Sequence, residues 1–113
     1  MVTEGSAKRL VTTLDRSDGV RVVTVTGPVD VFNAGALSRD ALAGLPSEAR
    51  EIVLDLEAVT VLDSAGLSAI VRLVRQFRAQ SISARASLGH DTPLSSTVVD
   101  SLRQLVPVDE PVA

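Results

Sequence analysis

Ser64 has the clearest chemical potential in this sequence, because it lies where a strand-like pattern gives way to a helical one. The surrounding residues 51–67 read EIVLDLEAVTVLDSAGL. A serine at a helix start can act as the N-cap, with its hydroxyl oxygen over the free backbone N–H groups of the first turn. On this interpretation Gly66 is the small residue that lets a partner's backbone come close.

Phosphorylation is the second chemistry open to Ser64. The positive end of a helix favours a negative group by about 0.3 to 1 kcal/mol, so a phosphoserine here is expected to leave the fold intact. Its charge of about −1.5 to −2 would lie beside Asp63 and near Asp30, and would repel an acidic or desolvated surface docked on the helix start. The residues alone leave both interpretations open, a helix cap and an off switch for one complex.

Catalysis by Ser64 is poorly supported. A nucleophilic serine needs a base and a group that orients the base, and the single histidine, His90, lies in a predicted loop. No nucleophile-elbow motif surrounds the serine. Asp55 and Asp63 are weak as an acid and base pair, because Asp55 lies within a strand pattern. We predict no catalytic residue, and a hydrolase that uses Ser64 and His90 remains a hypothesis of a different class.

Composition excludes several other functions. The formal net charge is −3 and only two residues, Phe32 and Phe77, are aromatic, so neither the basic surface nor the stacking faces of a nucleic-acid binder are present. With no cysteine and one histidine, no metal site or cofactor is predicted. No uncharged run exceeds eight residues, so we predict no membrane insertion and a cytoplasmic location.

The elements that must position Ser64 begin with a hairpin and a helix. Two segments rich in Val and Thr, Arg9–Leu14 and Val20–Thr26, flank the turn signal Ser17–Gly19 and predict the hairpin. A first helix follows, with Asn33 as its N-cap and Pro46 closing the segment. Its apolar positions are Ala34, Leu37, Ala41, Leu42 and Leu45.

The next segment predicts the strand and the helix on either side of Ser64. Glu51–Leu56 is predicted as a buried strand with an irregular extension through Val59, Val61 and Leu62. An amphipathic second helix starts at Ser64. Its apolar stripe is Leu67, Ile70, Val71, Val74 and Phe77. Arg72, Arg75 and Arg78 lie largely off this stripe, either as a solvated face or as a grip for an acidic partner.

The remaining residues predict a strand, a third helix and an open end. Ile82–Ser87 is predicted as a strand, Thr92 as the cap of the third helix and Pro93 as its first residue. The apolar positions of this helix are Leu94, Val98, Leu102 and Leu105. Val106–Val108 is too short to decide whether a last strand forms.

This order of elements predicts the fold class. Strands that alternate with helices favour an α/β fold with a mixed, mostly parallel sheet of four or five strands, an N-terminal hairpin and three or more helices. The domain is predicted to span residues 9–108, between flexible tails at residues 1–8 and 109–113.

Two motifs in the sequence resemble a known family. LDLEAVTVLDSAGL followed by an amphipathic helix resembles the core signature of STAS domains, in particular the anti-sigma factor antagonists of bacteria. Upstream, Gly27–Asp30, followed by Ala34 and Leu37, is similar to the Gly-x-x-Asp loop that leads into the first helix of the family. Together the two motifs cover roughly residues 9 to 80 in the expected order.

The resemblance implies a partner switch. In this family the unphosphorylated antagonist binds an anti-sigma factor and so releases a sigma factor. The anti-sigma factor is often also the serine kinase that phosphorylates the antagonist, and a serine phosphatase resets it. By position, Ser64 is the phosphoacceptor. The partner-binding residues implied by the resemblance are Asp30, Asp63, Ser64, Ala65, Gly66 and Leu67.

Three features depart from the family pattern. Pro28 stands where antagonists often carry a glutamate, so a charged partner contact is expected to be missing and the loop to be stiffer. Ala65 replaces a frequent second hydroxyl residue, which leaves only Ser64 to accept phosphate there. Beyond Gln80 the match is loose. These departures keep an alternative open, a STAS accessory subunit of a lipid-transporting ABC system that docks on the ATPase without phosphorylation.

Overall fold

Strands and helices alternate in the part of the chain that the computed structural model describes, residues 10–89 and 92–109. In chain order the elements are β1 (Val11–Asp15), β2 (Val20–Val29), α1 (Ala34–Leu42), β3 (Glu51–Leu62), α2 (Ser64–Ala79), β4 (Ser83–Ser87), α3 (Ser96–Leu105) and β5 (Val108–Asp109). Several predictions fall outside the described residues: the N-terminal tail at residues 1–8, the strand residue Arg9, His90, and residues 110–113 of the C-terminal tail predicted at 109–113.

The described strands form one sheet in the order β1-β2-β3-β4-β5. β1 pairs antiparallel with β2, and the other neighbours are parallel. The predicted α/β fold with a hairpin and a mixed, mostly parallel sheet is therefore confirmed. Because β2 and β3 are parallel and pair up to Val29 and Leu62, both strands end at the same edge. The connections into α1 and α2 consequently leave from neighbouring points.

β2 continues through Gly27 and Pro28, although the sequence predicts its end at Thr26. Its pairing with β3 shifts register twice, between Thr24 and Thr26 and between Gly27 and Pro28. Gly27 has a φ of 84°, which glycine adopts at little cost. The pairing with β1 reaches only Val25, so Pro28, which has no N–H to donate, lies beyond it. The prediction was wrong because these irregularities let the strand continue past residues that usually end one.

α2 packs one face on the sheet, and this face is turned slightly from the predicted stripe. Its buried residues are Gly66, Ala69, Ile70, Leu73, Val74 and Phe77. Three of the five predicted positions are among them, whereas Leu67 and Val71 are half-buried. Ala69 and Leu73 are fully buried, although the predicted stripe does not include them.

A buried arginine, absent from the predictions, fixes α1 to the sheet. Arg21 is 2% exposed, and its guanidinium donates to the carboxylate of Asp15 at 2.6 and 2.9 Å. It also donates to the carbonyl oxygens of Ala41, Ala43 and Gly44 at 2.8 to 3.0 Å, which would otherwise lack partners at the end of the helix. The hydrogen bond from Arg21 lowers the pKa of Asp15. The position of α1 therefore depends on a charged group within the fold.

α3 begins at Ser96, three residues after the predicted start at Pro93. Ser95 is the N-cap, and its hydroxyl oxygen accepts a bond from the backbone N–H three residues on. Thr92, predicted to be the cap, instead accepts from the N–H of Leu94 in the preceding turn at 3.3 Å. The prediction was wrong because two hydroxyl residues could serve as caps and the later one does.

The end that the sequence left open contains a short strand. β5 pairs in parallel with β4, with Val108 opposite Ala86 and Asp109 opposite Ser87. Asp109 therefore lies in the sheet, although it was predicted to belong to the C-terminal tail.

Candidate functional site

Asp63 caps α2, and Ser64 is the first residue of the helix. The Oδ1 atom of Asp63 accepts from the N–H of Gly66 at 2.8 Å, and its backbone oxygen accepts from the N–H of Leu67 at 2.9 Å. The prediction of Ser64 as the N-cap was wrong by one residue, because aspartate is an equally good cap. The hydroxyl of Ser64 is consequently not needed to hold the helix start.

The second carboxylate oxygen of Asp63 links α2 to the neighbouring strand connection. Oδ2 accepts from the N–H of Val31 at 3.2 Å, and the backbone N–H of Asp63 donates to the oxygen of Val29 at 3.3 Å. One aspartate therefore fixes both the start of α2 and the loop that follows β2.

Gly66 lets the start of α2 lie against the end of β2. A Cβ atom at this position would be 2.6 Å from the oxygen of Val29 and 2.8 Å from Cδ1 of Leu62. Such distances are too short for any side chain, so only glycine fits without a shift of the helix. The interpretation that Gly66 makes room for a partner's backbone was wrong, because Gly66 is buried and the close backbone belongs to the same chain.

The loop between β2 and α1 is held by its own side chains. Oδ1 of Asp30 accepts from the N–H groups of Phe32 at 2.9 Å and Asn33 at 3.2 Å, and the backbone oxygen of Asp30 accepts from Ala34. Asn33 holds the predicted N-cap position, but its side chain makes no capping bond. It bonds instead to the N–H of Asp30 and the oxygen of Pro28, both at 2.9 Å. The loop therefore presents a defined shape.

The structure brings the predicted site residues together at this edge of the sheet. Ser64 is exposed, and its hydroxyl has no hydrogen-bond partner among the described residues. Asp30, Asp63, Ala65 and Leu67 are half-buried. The accessible hydroxyl is thus available to another molecule, and the two carboxylates beside it are already engaged by backbone N–H groups.

Exposed apolar side chains lie around the same edge, and they were not among the predicted site residues. Phe32 is 94% exposed, Val31 66% and Val61 54%. Pro28 is also exposed and lies opposite Val61 in the register. The sequence shows that one of only two aromatic residues lies between a predicted strand and a predicted helix, but not that its ring is exposed. We call Pro28, Val31, Phe32 and Val61 the apolar rim.

Other kinds of site are absent from the part of the chain that is described. No group of three or more His, Cys, Asp or Glu residues in it could hold a metal ion. None of its helices combines the length and the apolar character that crossing a membrane requires. His90, which the hydrolase hypothesis requires, lies outside the described residues.

The three arginines of α2 do not act as a group. The Nη2 atom of Arg78 donates to the oxygen of Leu105 at 2.7 Å, which ties the end of α2 to the end of α3. Arg78 therefore has a structural role that neither sequence interpretation includes. Arg72 and Arg75 are exposed and lie beside a groove between α1 and α2.

A family model supports the resemblance found in the sequence. The STAS domain model matches residues 12–85. Among curated proteins, BtrV of Bordetella bronchiseptica, whose name places it among anti-sigma factor antagonists, is 32% identical over 66 residues. This match covers 58% of the chain and 57% of the relative, so the chain spans little more than half the length of that protein.

Solved structures share the fold. The anti-sigma factor antagonist SpoIIAA in its unphosphorylated form superposes with a TM-score of 0.65 at 14% identity, over 90% of this chain and 89% of that one. An anti-sigma factor antagonist from Mycobacterium paratuberculosis has a TM-score of 0.57 at 26% identity, over 84% of this chain and 93% of that one. The likeness to SpoIIAA concerns the fold alone.

Alanine at positions 63 and 64 tests which residue caps α2. Asp63→Ala should lower the free energy of unfolding by about 1 to 2 kcal/mol, because it removes the cap and the bond to Val31. Ser64→Ala should change it by less than about 0.5 kcal/mol, because its hydroxyl has no partner to lose. Denaturant unfolding followed by circular dichroism measures both. A larger loss for Ser64→Ala than for Asp63→Ala would show that the serine is the cap.

Proposed function

Because the chain belongs to the STAS domain family, we propose that it is an anti-sigma factor antagonist. In this proposal it binds an anti-sigma factor that is also a serine kinase, and the occupied anti-sigma factor releases its sigma factor. The relatives named as antagonists support this role. The protein acts by binding, without catalysis or a cofactor, in the cytoplasm and apart from nucleic acid and membrane.

One observation carries the proposal: an accessible Ser64 lies at the same edge as an exposed apolar loop. Asp63 holds both the helix start and Val31, so the serine and Phe32 are presented by one hydrogen-bonded unit. Exposed aromatic side chains are frequent anchors at protein interfaces, where burial in a partner's pocket removes them from water. The apolar rim is therefore the proposed docking surface, and Ser64 lies beside it at the same edge of the sheet.

The proposed modification transfers a phosphoryl group from ATP to Ser64. The Oγ atom forms a bond to the γ-phosphorus, and the bond from that phosphorus to the bridging oxygen breaks. The hydroxyl proton passes to a base of the kinase, and ADP leaves with the bridging oxygen and its electron pair. Nothing within the described chain competes for Oγ, since the cap bonds are made by Asp63. A serine phosphatase reverses the step by hydrolysis, which returns the hydroxyl and releases phosphate.

The phosphate turns the docking surface into a repulsive one. It adds a charge of about −1.5 to −2 to an edge that already carries Asp30 and Asp63. The positive end of α2 tolerates this charge, so the fold is expected to survive. A partner that buries Ser64 would have to desolvate the new charge, which is costly without a cation to pair with it. Phosphorylation therefore weakens the complex and leaves the domain folded.

The switch predicts distinct binding by three forms of the protein. Wild type and Ser64→Ala should bind a purified anti-sigma factor kinase of the source organism with dissociation constants within about threefold of each other. Ser64→Asp should bind at least about tenfold more weakly, because it places a carboxylate in the interface. Isothermal titration calorimetry measures the constants, and ATP with kinase should phosphorylate wild type but not Ser64→Ala.

Two results would contradict the switch. Equal binding by all three forms would remove the role of Ser64. Binding of an ABC ATPase by wild type and Ser64→Asp alike, with no binding of any anti-sigma factor kinase, would favour the transporter subunit.

Phe32 should be an anchor of the same complex. Phe32→Ala is expected to weaken binding at least about tenfold, because a side chain exposed in the free protein would lose its contact in the partner. Leu14→Ala is the matched control, since Leu14 is 64% exposed on β1 and removed from the rim. Its binding should stay within about twofold of wild type. An equal loss for both variants, or none for Phe32→Ala, would show that the rim does not form the interface.

A further inference from the structure

Arg72 and Arg75 are the two arginines of the described chain that have no partner within it. Each of the other described arginines donates to an acidic side chain or a carbonyl oxygen, or belongs to an ion pair, and these are Arg16, Arg21, Arg39, Arg50, Arg78, Arg85 and Arg103. In a protein of net charge −3, most cations are therefore held by the protein's own oxygens. Arg72 and Arg75, the two described arginines without such a partner, lie three residues apart on α2.

The two arginines lie beside a groove. The open groove between α1 and α2 has a volume of about 380 Å³ and is lined by Ala34, Gly35, Ser38, Arg72, Arg75 and Gln76. The side of α1 that faces it carries small residues, so the arginine side chains can reach across toward a bound segment. None of these lining residues is acidic. It can therefore accept negative charge from another molecule.

The arginines share an exposed stripe with Ser64. Ser64, Ser68, Arg72 and Arg75 follow one another at spacings of four, four and three residues, which places them along one side of α2. All four are exposed. Along the helix axis Arg72 is about 12 Å from Ser64, a distance that one protein interface spans easily.

We propose that Arg72 and Arg75 bind an acidic segment of the partner that docks on Ser64. This inference rests on the proposed function, since it assigns a chemistry to that partner. An acidic partner surface explains two features together: it is attracted by the unpaired arginines and repelled by a phosphate at the other end of the same stripe. The guanidinium groups suit carboxylates, because each can donate two parallel hydrogen bonds.

The test compares two double variants that change the net charge equally. Arg72→Gln with Arg75→Gln removes the proposed contacts. Arg16→Gln with Arg103→Gln is the control, because Arg16 lies in the hairpin turn and Arg103 on α3, each beside its own aspartate. The probes are the anti-sigma factor kinases of the source organism, purified individually and titrated by calorimetry at low and high salt. Thermal unfolding checks that both variants fold.

The expected result is a dissociation constant about tenfold higher for the Arg72 and Arg75 variant, and within about twofold of wild type for the control. The difference should shrink as salt is added. The corresponding double lysine variant should recover only part of the binding, because lysine keeps the charge but cannot donate two parallel hydrogen bonds. Equal binding by both glutamine variants overturns the acidic contact and leaves the proposed function standing. A wild-type protein that binds none of the kinases overturns the proposed function and this inference with it.

Discussion

The oxygen atom of Val29 packs against Gly66 so closely that no side chain fits between them. This contact fixes the distance between the end of β2 and the start of α2, and the remaining geometry of the edge follows from it. Asp63 can reach the N–H of Gly66 and that of Val31 with one carboxylate only because the two segments are adjacent. A larger residue at position 66 would separate them and break the link between helix and loop.

In this arrangement the residue that stabilises the start of α2 differs from the residue that is proposed to be modified. Asp63 makes the capping bonds that hold α2, so the neighbouring serine can be modified without loss of a structural hydrogen bond. The loop of Phe32 is held by Asp30 and Asn33, so its exposed ring projects from a shaped segment. At the other end of the molecule, Arg21 fixes α1 through three backbone carbonyls. A docking surface built in this way can lose a partner when its charge changes, while the scaffold stays the same.

The order of the elements and the sheet class could be predicted, because the period of apolar residues changes clearly between strands and helices. The resemblance of the two motifs to STAS domains implied that Asp30 and Ser64 lie at one edge. The division of roles between Asp63 and Ser64 could not be predicted, since the two residues are adjacent and both are good caps. The burial of Arg21 and the exposure of Phe32 could not be predicted. Both depend on which residues lie nearby in the folded chain, and sequence patterns do not give this information.

We expect a phosphate on Ser64 to alter the surface of this edge without altering the fold. Amide chemical shifts of the ¹⁵N-labelled protein, recorded before and after stoichiometric phosphorylation of Ser64, test it directly. Shift changes should be confined to residues 30–33 and 63–68, with the strands and the rest of α2 unchanged. Changes that spread through the sheet, or loss of the signals of α2, would show instead that the phosphate acts by disrupting the domain.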